Sequence, residues 1–383
     1  MNLETLTNHF QLDPIPHDNR PLVSPIYQSV KFTFPKLADV KGLFEGQRPG
    51  YFYSRYRNPT VFELEQLLAK AQGTEAGLAT SSGVGAISTA LFSLLRQGDK
   101  IIYFIESYRP TRILIEKTLK KFGVEGIKLS LDDLDQINEA AALPETRFMI
   151  WESPTNPQLK VPNNKELVAI AQRHQLTTIL DNTFAGFHKN QDLDVDLYIH
   201  SLTKYAGGHS DVMGGALLGR EPVIREIFEH AVEIGSVLDP HAAFLILRGM
   251  KTYRLRYERQ AQNALALAVW LQEQAQVGDV FYPGLDYLKD QLPTDGGTVV
   301  MFNFKNKSSS LEAFIDGLKL FTLSASLGST ESLVAPALYF YGMDLSEDQR
   351  QRARLDQTSV RLSLGIESIE DLKSDIAQSL AAL

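Results

Sequence analysis

The sequence predicts an α/β protein, in which a mainly parallel sheet covered by helices on both faces is followed by a smaller α+β domain. Short apolar runs alternate with helix-length runs from Thr60 onward, which is typical of βαβ units. The apolar runs are continuous rather than alternating, which indicates strands buried on both faces. After Gly249 the strand-like and helical runs become fewer and mixed, which predicts a second domain.

The first 58 residues predict an arm. They are rich in proline, glycine and aromatic residues and lack long periodicity, as in "PLVSPIYQSVKFTFPKL" and "GQRPGYFYSRYRNPT". A structureless stretch of that length is uncommon inside a compact domain. We therefore expect residues 1–58 to reach another surface, that of a neighbouring subunit.

Residues 59–250 predict the large domain, and residues 251–383 the smaller one. The first helix is expected in "TVFELEQLLAKAQG", where apolar residues have helical spacing and the stretch ends in glycine. Further helices of the large domain are expected in "GVGAISTALFSLLRQG", "TRILIEKTLKKFG" and "NKELVAIAQRHQ", and strands in "EAGLAT", "DKIIYFI", "RFMIWES", "TTILDNT", "DLYIHS" and "GGALLG". The smaller domain predicts helices in "RLRYERQAQNALALAVWLQEQAQ", "SLEAFIDGLKLF" and "IEDLKSDIAQSLAAL", and strands in "GTVVMFNF" and "TSVRLSLG".

Composition narrows the classes of function. Lysine and arginine number 38 against 46 aspartates and glutamates, a net charge of −8, which argues against a nucleic-acid or anionic-membrane partner. The chain has no cysteine, which excludes disulfides, thiolate metal sites and cysteine nucleophiles. No cluster of histidine with carboxylates has metal-ligand spacing, so no metal is expected. The start lacks a signal pattern, and we expect a cytoplasmic protein.

Polar residues collect at the ends of the predicted strands, where open parallel sheets bind ligands. In "TSSGVGAI" a strand turns into a helix at Ser82, Gly83 and Val84, which suit a phosphate cradle. The same pattern also fits a serine-capped turn without a ligand. Asp181 follows the run "TTIL", and an unpaired carboxylate there is costly. It is therefore either a helix cap or the partner of a cationic ring nitrogen.

The stretch "HSLTKYAGGH" raises the question whether Lys204 is a surface charge or a reactive amine. Ser201 and Thr203 alternate on the strand end and share a face, where their hydroxyls suit a phosphate. A lysine held in an apolar pocket or beside other cations loses its ammonium form and becomes a nucleophile.

Five further positions carry groups that suit a ligand, and each is also open to a structural role. Asn156 lies in a proline-bounded loop after one strand, and Tyr108 follows another. Arg361 lies within a strand, where a buried guanidinium requires a partner such as a carboxylate. Tyr53 and Arg55 share a face of the extended arm and suit a phosphate.

Together these residues supply a phosphate cradle, an acidic partner for a pyridinium nitrogen, an aldehyde-binding lysine, a stacking ring and an arginine for a carboxylate. Pyridoxal 5'-phosphate, bound to Lys204 as a Schiff base, is the common ligand that uses the whole set. The sequence therefore predicts that Lys204 is a reactive amine.

The order of the motifs resembles one enzyme family, the Cys/Met-metabolism (trans-sulfuration) branch of fold-type I pyridoxal-phosphate enzymes. The stretches that carry the resemblance are "YSRYRNPT", "SSGVGAI", "ESPTNP", "DNTFA", "HSLTKYAGGHSDVMGG", "LRGMKT", "YPGL", "SLGSTES" and "VRLSLGIESIEDL". The family includes cystathionine γ-synthase, the cystathionine γ- and β-lyases, methionine γ-lyase and the homoserine sulfhydrylases. The resemblance implies fold type I, with a seven-stranded sheet in the large domain.

The resemblance also implies roles for individual residues. Lys204 would be the Schiff-base lysine, Asp181 the pyridinium partner, and Tyr108 the ring-stacking tyrosine and candidate proton shuttle. Asn156 would contact the phenolic oxygen of the cofactor. The cofactor phosphate would be held by Ser82, Gly83, Val84, Ser201 and Thr203, and from the neighbouring subunit by Tyr53 and Arg55. The substrate carboxylate would be bound by Ser324 and Arg361.

The activity that the resemblance implies is C–S bond elimination on a sulfur amino acid of the cystathionine, methionine or homocysteine class, giving a 2-oxo acid, ammonia and a thiol. One alternative is γ-replacement on an O-acylhomoserine, as in cystathionine γ-synthase or a sulfhydrylase. Others are an aminotransferase of the same fold and a cofactor-binding protein without turnover. The active sites that this family shares between subunits imply a homodimer, and its usual assembly implies a homotetramer.

The chain departs from the family pattern in three places. Arg109 and Pro110 follow Tyr108, where the family has Gly-Gly or Gly-Cys, and either Arg109 or Arg112 is expected to add positive charge near the distal end of the substrate. "LVAPALYFYGMDLS" replaces a segment with His-Pro and Met-Thr-His-Ser patterns, and "GFHKNQDLDVD" is shorter than usual. The last two differences touch the substrate entrance, so the substrate stays open.

Overall fold

The computed structural model describes residues 1–10, 21–285, 296–308 and 310–383. Its larger sheet has the strand order β1-β7-β6-β5-β4-β2-β3. The strands are β1 (Ala76–Thr80), β2 (Lys100–Phe104), β3 (Glu125–Leu129), β4 (Thr146–Glu152), β5 (Thr177–Asp181), β6 (Leu197–Ser201) and β7 (Gly215–Gly219). Neighbours from β6 across to β3 are parallel, whereas β7 runs antiparallel to both β1 and β6. The prediction of a mainly parallel, seven-stranded sheet is confirmed.

The strand β3 is the one member of this sheet that the apolar runs do not predict. Its sequence, "EGIKL", contains a glutamate, a glycine and a lysine. It lies at the edge of the sheet beside β2, and its residues are exposed or half-buried. An edge strand needs no continuous apolar run, because less of it is buried.

The arm contains two short helices, α1 (Leu3–His9) and α2 (Leu37–Phe44), so it is less irregular than its composition predicts. Between them, Lys31 forms an isolated antiparallel bridge with Tyr53. The apolar side chains of Val30 and Phe44 are exposed in the single chain. The arm therefore presents apolar surface that the described part of its own chain does not cover.

Helices pack against both faces of the larger sheet. They are α3 (Pro59–Gln72), α4 (Gly83–Leu94), α5 (Arg109–Ile113), α6 (Leu134–Ala141), α7 (Asn164–Arg173), α8 (Glu221–Ile234) and α9 (Pro240–Met250), with a π-helical turn Leu114–Thr118 and a 3₁₀ turn Leu119–Phe122 between α5 and β3. The helix α3 shows why the chain forms them: the Asn58 side chain caps its start, Pro59 occupies its first turn, and Gly73 ends it in the left-handed conformation. Among the described residues, no helix combines the length and apolarity needed to cross a membrane.

The smaller sheet lies in the C-terminal part of the chain, with the strand order β10-β11-β12-β9-β8. Its strands are β8 (Val277–Phe281), β9 (Val299–Phe304), β10 (Thr322–Leu323), β11 (Leu333–Pro336) and β12 (Ser359–Ser363). The helices of this part are α10 (Tyr253–Gln272), α11 (Leu311–Gly317), α12 (Glu347–Arg352) and α13 (Ile369–Leu380), with a π-helical turn Leu338–Gly342 after β11. The strands predicted in "GTVVMFNF" and "TSVRLSLG" are β9 and β12, so the α+β prediction is confirmed.

Burial on both faces of the larger sheet follows from the alternation of side chains along each strand. The consecutive residues Ile101 and Ile102 point to opposite faces, and both are fully buried, in two separate apolar clusters. A third cluster, around Phe302 and Phe314, fills the space beside the smaller sheet. Each such side chain contributes about 1.5 to 3 kcal/mol when it is fully buried. This packing on both faces holds the carboxyl ends of the strands in fixed positions.

Candidate active site

A cavity of about 380 Å³ opens at the carboxyl ends of the strands of the larger sheet. Most of the residues predicted for the site line it, namely Ser82, Gly83, Val84, Tyr108, Asn156, Asp181, Ser201, Thr203, Lys204 and Arg361. All but Arg361 follow or end strands whose carboxyl ends meet at this edge. Arg361 comes from β12 of the smaller sheet, so the cavity lies between the two parts of the chain.

Lys204 is not a solvated surface charge. Its side chain is largely buried, and Nζ donates a hydrogen bond to the Ser326 hydroxyl over 2.7 Å. Burial, and then the positive charge of Arg361, lower the pKa of Lys204 to about 8. A neutral and therefore nucleophilic amine is accessible near neutral pH.

Two carboxyl groups lie side by side at the ends of β4 and β5, because Glu152 and Asp181 are partners in the strand register. Burial raises the pKa of Asp181, while a hydrogen bond from the backbone N–H of Thr183 to Oδ1, 3.0 Å long, favours the ionised form. Burial and the adjacent Asp181 raise the pKa of Glu152 well above its usual range. A cation placed in the cavity would stabilise the ionised form of Asp181.

Glu152, which was not predicted from the sequence, also connects two predicted site residues. Its carboxyl group accepts a hydrogen bond from the backbone N–H of Tyr108 and is also hydrogen-bonded by the backbone of Asn156. The available signal was its position at a strand end next to the strand of Asp181. Burial, followed by the nearby Tyr341, Glu152 and Asp181, raises the pKa of the Tyr108 phenol, which therefore stays protonated.

The start of α4 forms the expected cradle. The Ser82 hydroxyl accepts a hydrogen bond from the backbone N–H of Gly85, 2.9 Å long, so Ser82 is a helix cap as well as a cavity residue. The first backbone N–H groups of a helix have no intrahelical acceptor and attract an anion. A Cβ atom on Gly83 would lie 2.8 Å from the Ser201 Cβ, so glycine is required for α4 to approach β6 this closely. The cradle suits a phosphate.

Unpaired polar atoms mark where the cavity would receive a ligand. Arg361 is 2% exposed, and its Nη1 donates to the Tyr341 hydroxyl, but Nε and Nη2 have no partner among the described residues. The Asn156 Oδ1 atom is also buried without a partner there. Buried polar atoms are normally hydrogen-bonded, and because Arg361 and Asn156 line the cavity, a ligand bound there would supply the missing partners. The residues present thus fit a phosphorylated cationic ring beside a carboxylate.

The structure does not bring Ser324, Tyr53 or Arg55 to this cavity. Ser324 is exposed, and its hydroxyl donates to the carbonyl oxygen of Ala325 over 3.0 Å. The serine of this stretch that lines the cavity is Ser326, two residues later. The backbone turns there with a φ of 117°, and the Ser326 hydroxyl is directed to Lys204. Tyr53 forms the β-bridge with Lys31 within the arm, and Arg55 donates to the carbonyl oxygen of Val232 over 2.8 Å. Both residues lie outside the cavity of their own chain.

Among the described residues, neither Arg109 nor Arg112 lines the cavity, so the positive charge expected at the distal end of the substrate is not found there. Both side chains pair with Asp344 instead. Arg112 is 1% exposed and forms a bidentate pair with Asp344, with donor–acceptor distances of 2.9 and 3.0 Å. Arg109 Nε lies 3.3 Å from the same carboxylate. Asp344 belongs to the divergent stretch "LVAPALYFYGMDLS", so two of the three departures from the family pattern contact each other.

Three further residues that were not predicted from the sequence, Ser326, Phe184 and Tyr341, also line the cavity. The rings of Phe184 and Tyr341 lie on the Arg361 guanidinium, with centroids 5.4 and 5.0 Å from its central carbon. Two of them had a local signal, because Ser326 lies in the motif "SLGSTES" and Phe184 in the motif "DNTFA", just after β5. Tyr341 reaches the site through the packing of the two parts of the chain, which no local pattern records.

Comparisons with known proteins agree with the geometry of the site. A sequence model of the "Cys/Met metabolism PLP-dependent enzyme" family, where PLP is pyridoxal 5'-phosphate, matches residues 5–381. The chain is 36% identical to L-methionine gamma-lyase of Pseudomonas putida, over 98% of this chain and 96% of the relative. It is 37% identical to cystathionine beta-lyase of Lactococcus lactis subsp. cremoris, over 93% of each chain.

A solved structure from Campylobacter jejuni, described as an O-acetylhomoserine (thiol)-lyase, superimposes with a TM-score of 0.93 at 30% identity, and the match covers 100% of both chains. That structure carries a pyridoxyl-lysine monophosphate. The family match and this adduct agree with the fit of the cavity to pyridoxal 5'-phosphate.

Proposed function

Because the chain belongs to the Cys/Met metabolism family of PLP-dependent enzymes, we propose that it breaks the C–S bond of a sulfur amino acid and releases a 2-oxo acid, ammonia and a thiol. The substrate class is that of methionine, cystathionine or homocysteine. One observation carries the proposal: the Lys204 amine, the Asp181 carboxyl and the unpaired edge of Arg361 face a single cavity.

The cofactor would be held by residues of the larger sheet. Pyridoxal 5'-phosphate, when bound, supplies an aldehyde that reacts with amines and a ring that accepts electrons from the α-carbon of the substrate. Asp181 would keep a proton on the ring nitrogen, Asn156 would bind the phenolic oxygen, and Tyr108 would stack on the ring. The phosphate would be held by Ser82, Gly83, Val84, Ser201 and Thr203, and by Tyr53 and Arg55 of a neighbouring subunit.

Three groups of this chain would perform the proton and binding steps. Arg361 binds the substrate carboxylate through Nε and Nη2, the two atoms that have no partner among the described residues. Lys204 Nζ, freed by the amine of the substrate, takes the α-proton, because its lowered pKa makes the neutral amine available. Where the sulfur is bound to Cγ, a second proton would also be removed from Cβ, and the electron pair of that C–H bond would expel the sulfur. Tyr108, which keeps its phenolic proton, would donate it to the departing sulfur, so the C–S bond breaks and a thiol leaves. Water then converts the remaining fragment into the 2-oxo acid and ammonia.

The assembly that we propose is a homodimer with shared active sites, arranged in pairs as a homotetramer in the cytoplasm. Tyr53 and Arg55 lie outside the cavity of their own chain, and the arm beside them exposes Val30 and Phe44. A partner chain that covered this apolar surface would bring both residues to the phosphate of the other site. The net charge of −8 gives no support to a nucleic-acid or membrane partner.

The second candidate is γ-replacement, in which a thiol displaces the acyl group of an O-acylhomoserine. The likeness to the Campylobacter structure supports it, because that protein is described as an O-acetylhomoserine (thiol)-lyase. Both reactions require the same binding of the amino-acid head, and they differ in whether a thiol or water completes the reaction.

A product assay tests the proposal. The purified protein with bound cofactor is incubated with methionine, cystathionine, homocysteine, O-acetylhomoserine and O-succinylhomoserine, each with and without an added thiol. We expect 2-oxo acid and thiol from at least one sulfur amino acid without added thiol. Lys204→Ala should lose both the visible absorbance of the lysine-bound cofactor and the products, whereas Lys251→Ala, at an exposed lysine, should keep both.

Products that form only from an O-acylhomoserine plus thiol would select the second candidate. A wild-type protein with no visible cofactor band and no product would reject both candidates.

A further inference from the structure

The π-helical turn Leu338–Gly342 places Tyr341 at the substrate end of the cavity, in contact with Arg361. We propose that Tyr341 is a substrate-positioning residue, which fixes Arg361 so that its Nε–Nη2 edge receives the carboxylate of the substrate. This inference rests on the proposed function. It concerns a residue of the divergent stretch "LVAPALYFYGMDLS".

The hydrogen bonds of Arg361 determine which edge is open. A guanidinium group offers two edges to a carboxylate, Nε with Nη2 and Nη1 with Nη2. The Tyr341 hydroxyl accepts a hydrogen bond from one of the two N–H bonds of Nη1, so Nη1 already has a partner and the second edge is the less favourable one for a carboxylate. Nε and Nη2 are buried and have no partner among the described residues, which leaves the first edge for a ligand.

The aromatic rings around Arg361 keep this edge in place. The guanidinium carbon lies 5.0 Å from the Tyr341 ring centroid and 5.4 Å from that of Phe184. Both distances are within the range of a cation–π contact. Rotation of the Arg361 side chain would break these contacts together with the hydrogen bond to Tyr341.

Tyr341 is itself held before any substrate binds. Arg112 Nη2 donates to the Tyr341 carbonyl oxygen over 3.0 Å, and the same guanidinium forms the bidentate pair with Asp344 three residues later. The C-terminal end of the turn and the residues just after it are thus attached to one buried side chain. A residue that is already ordered loses little conformational entropy on binding, which favours affinity.

The matched ligands for the test are norleucine and norleucinamide. Norleucine has the shape of methionine but no sulfur, so nothing can be eliminated, and its apolar side chain suits a wall that includes Phe184 and Leu327. Norleucinamide lacks the carboxylate. Binding of each to the protein with bound cofactor is followed by the change in the visible absorbance of the cofactor.

Tyr341→Phe keeps the ring and removes the hydroxyl. We expect the Kd of norleucine to rise about tenfold, because hydrogen bonds to charged groups are among the stronger ones and Nη1 loses its acceptor. The Kd of norleucinamide should not change. With a substrate that turns over, KM should rise while kcat stays nearly constant. Tyr339→Phe is the control, because the same hydroxyl is removed from the same turn at a side chain that is 57% exposed.

The visible spectrum of Tyr341→Phe without ligand shows whether the cofactor site is intact. Equal weakening of norleucine and norleucinamide would overturn the proposal and leave Tyr341 a structural role. Unchanged affinity for both would overturn it as well. Because binding needs no turnover, a selective loss of norleucine affinity would support the role of Tyr341 even if the wild-type protein converted no sulfur amino acid.

Discussion

The two ends of the cavity are built in different ways. The end proposed to hold the cofactor consists of residues at or just after the ends of strands of one sheet, such as Asp181 at the end of β5 and Lys204 after β6. The substrate end joins Arg361 of the smaller sheet to Tyr341 of a π-helical turn and Phe184 of a loop. Strand ends impose the geometry of the first, whereas contacts between distant parts of the chain impose that of the second. The first end should therefore tolerate little chemical change, and the second should vary with substrate.

The two ends of the cavity also require ligand charges of opposite sign. At the cofactor end, burial raises the pKa of both Asp181 and Glu152, and a cation would relieve the cost of ionising Asp181. At the substrate end, Arg361 is buried with two unpaired donors, and an anion would satisfy them. Pyridoxal 5'-phosphate, when bound, would supply a protonated ring nitrogen to the first end, and an amino-acid substrate would supply its carboxylate to the second.

The largest effect is expected at the cofactor end, from Asp181→Asn. The amide cannot hold a proton on the ring nitrogen, and an ion pair at about 4 Å is worth roughly 4 kcal/mol at an effective dielectric constant of about 20. We therefore expect kcat to fall by about three decades, as measured by 2-oxo acid release. Asp194→Asn, which changes an exposed carboxylate just before β6, is the control and should leave kcat unchanged. A kcat within tenfold of wild type for Asp181→Asn would show that the carboxylate does not stabilise the cofactor ring.

At the substrate end the corresponding change is Asp344→Asn. It removes the charge that compensates the buried Arg112, while the hydrogen bonds of Arg112 to the carbonyl oxygens of Ile105, Ser107 and Tyr341 remain. We expect the free energy of unfolding to fall by about 2 to 3 kcal/mol, less than for a buried charge with no other partner. Urea unfolding measures the loss, and KM should rise because the turn that carries Tyr341 loosens.

The control for this change is Asp348→Asn, a few residues later. Asp348 pairs with Arg352 across side chains that are 72% and 63% exposed. Exposed pairs contribute little, so the free energy of unfolding should change by less than about 0.5 kcal/mol. Equal losses for Asp344→Asn and Asp348→Asn would mean that the substrate end is not stabilised by its buried charge pair.

The same contrast decides how much could be predicted from the sequence. Gly83, Asp181 and Lys204 were predictable because each sits where an apolar run stops, and parallel strands bring their carboxyl ends to one edge. The strand β3 was missed because an edge strand is not buried on both sides. Ser324 was assigned to the substrate carboxylate from its place before the motif "LGSTES", but the serine of that stretch that lines the cavity is Ser326, where the backbone has a positive φ that the motif does not reveal.

Charge pairing was the least predictable feature. Arg112 and Asp344 are 232 residues apart in sequence, so nothing near Arg112 shows that its charge is already compensated. Tyr341 is likewise brought to Arg361, 20 residues later, by packing between the turn and β12. Such contacts depend on the tertiary structure. From the sequence alone, the positive charge of Arg109 or Arg112 was therefore assigned to the substrate instead of to Asp344.

The smallest expected effect concerns the pKa of Lys204, which depends on burial at the cofactor end and on the charge of Arg361 at the substrate end. Burial and Arg361 lower this pKa to about 8, so the neutral, reactive amine should increase as the pH rises through about 8 and level off above about pH 9. Cofactor is removed, pyridoxal 5'-phosphate is added back, and the return of the visible band is timed between pH 6 and pH 10. We expect the rate to rise about tenfold from pH 7 to pH 9 and then to plateau, whereas an ordinary lysine would gain about a hundredfold over that interval and continue.

Nα-acetyl-lysine with the same aldehyde is the control, because it reports the titration of the aldehyde and of an ordinary amine. Arg361→Gln should move the plateau to higher pH, because it removes the positive charge that disfavours the ammonium form of Lys204. A wild-type rate that kept climbing with the pH dependence of Nα-acetyl-lysine would mean that neither burial nor Arg361 acts on the amine. If only the shift in Arg361→Gln were absent, burial alone would set the pKa, and the two ends of the cavity would be electrostatically independent.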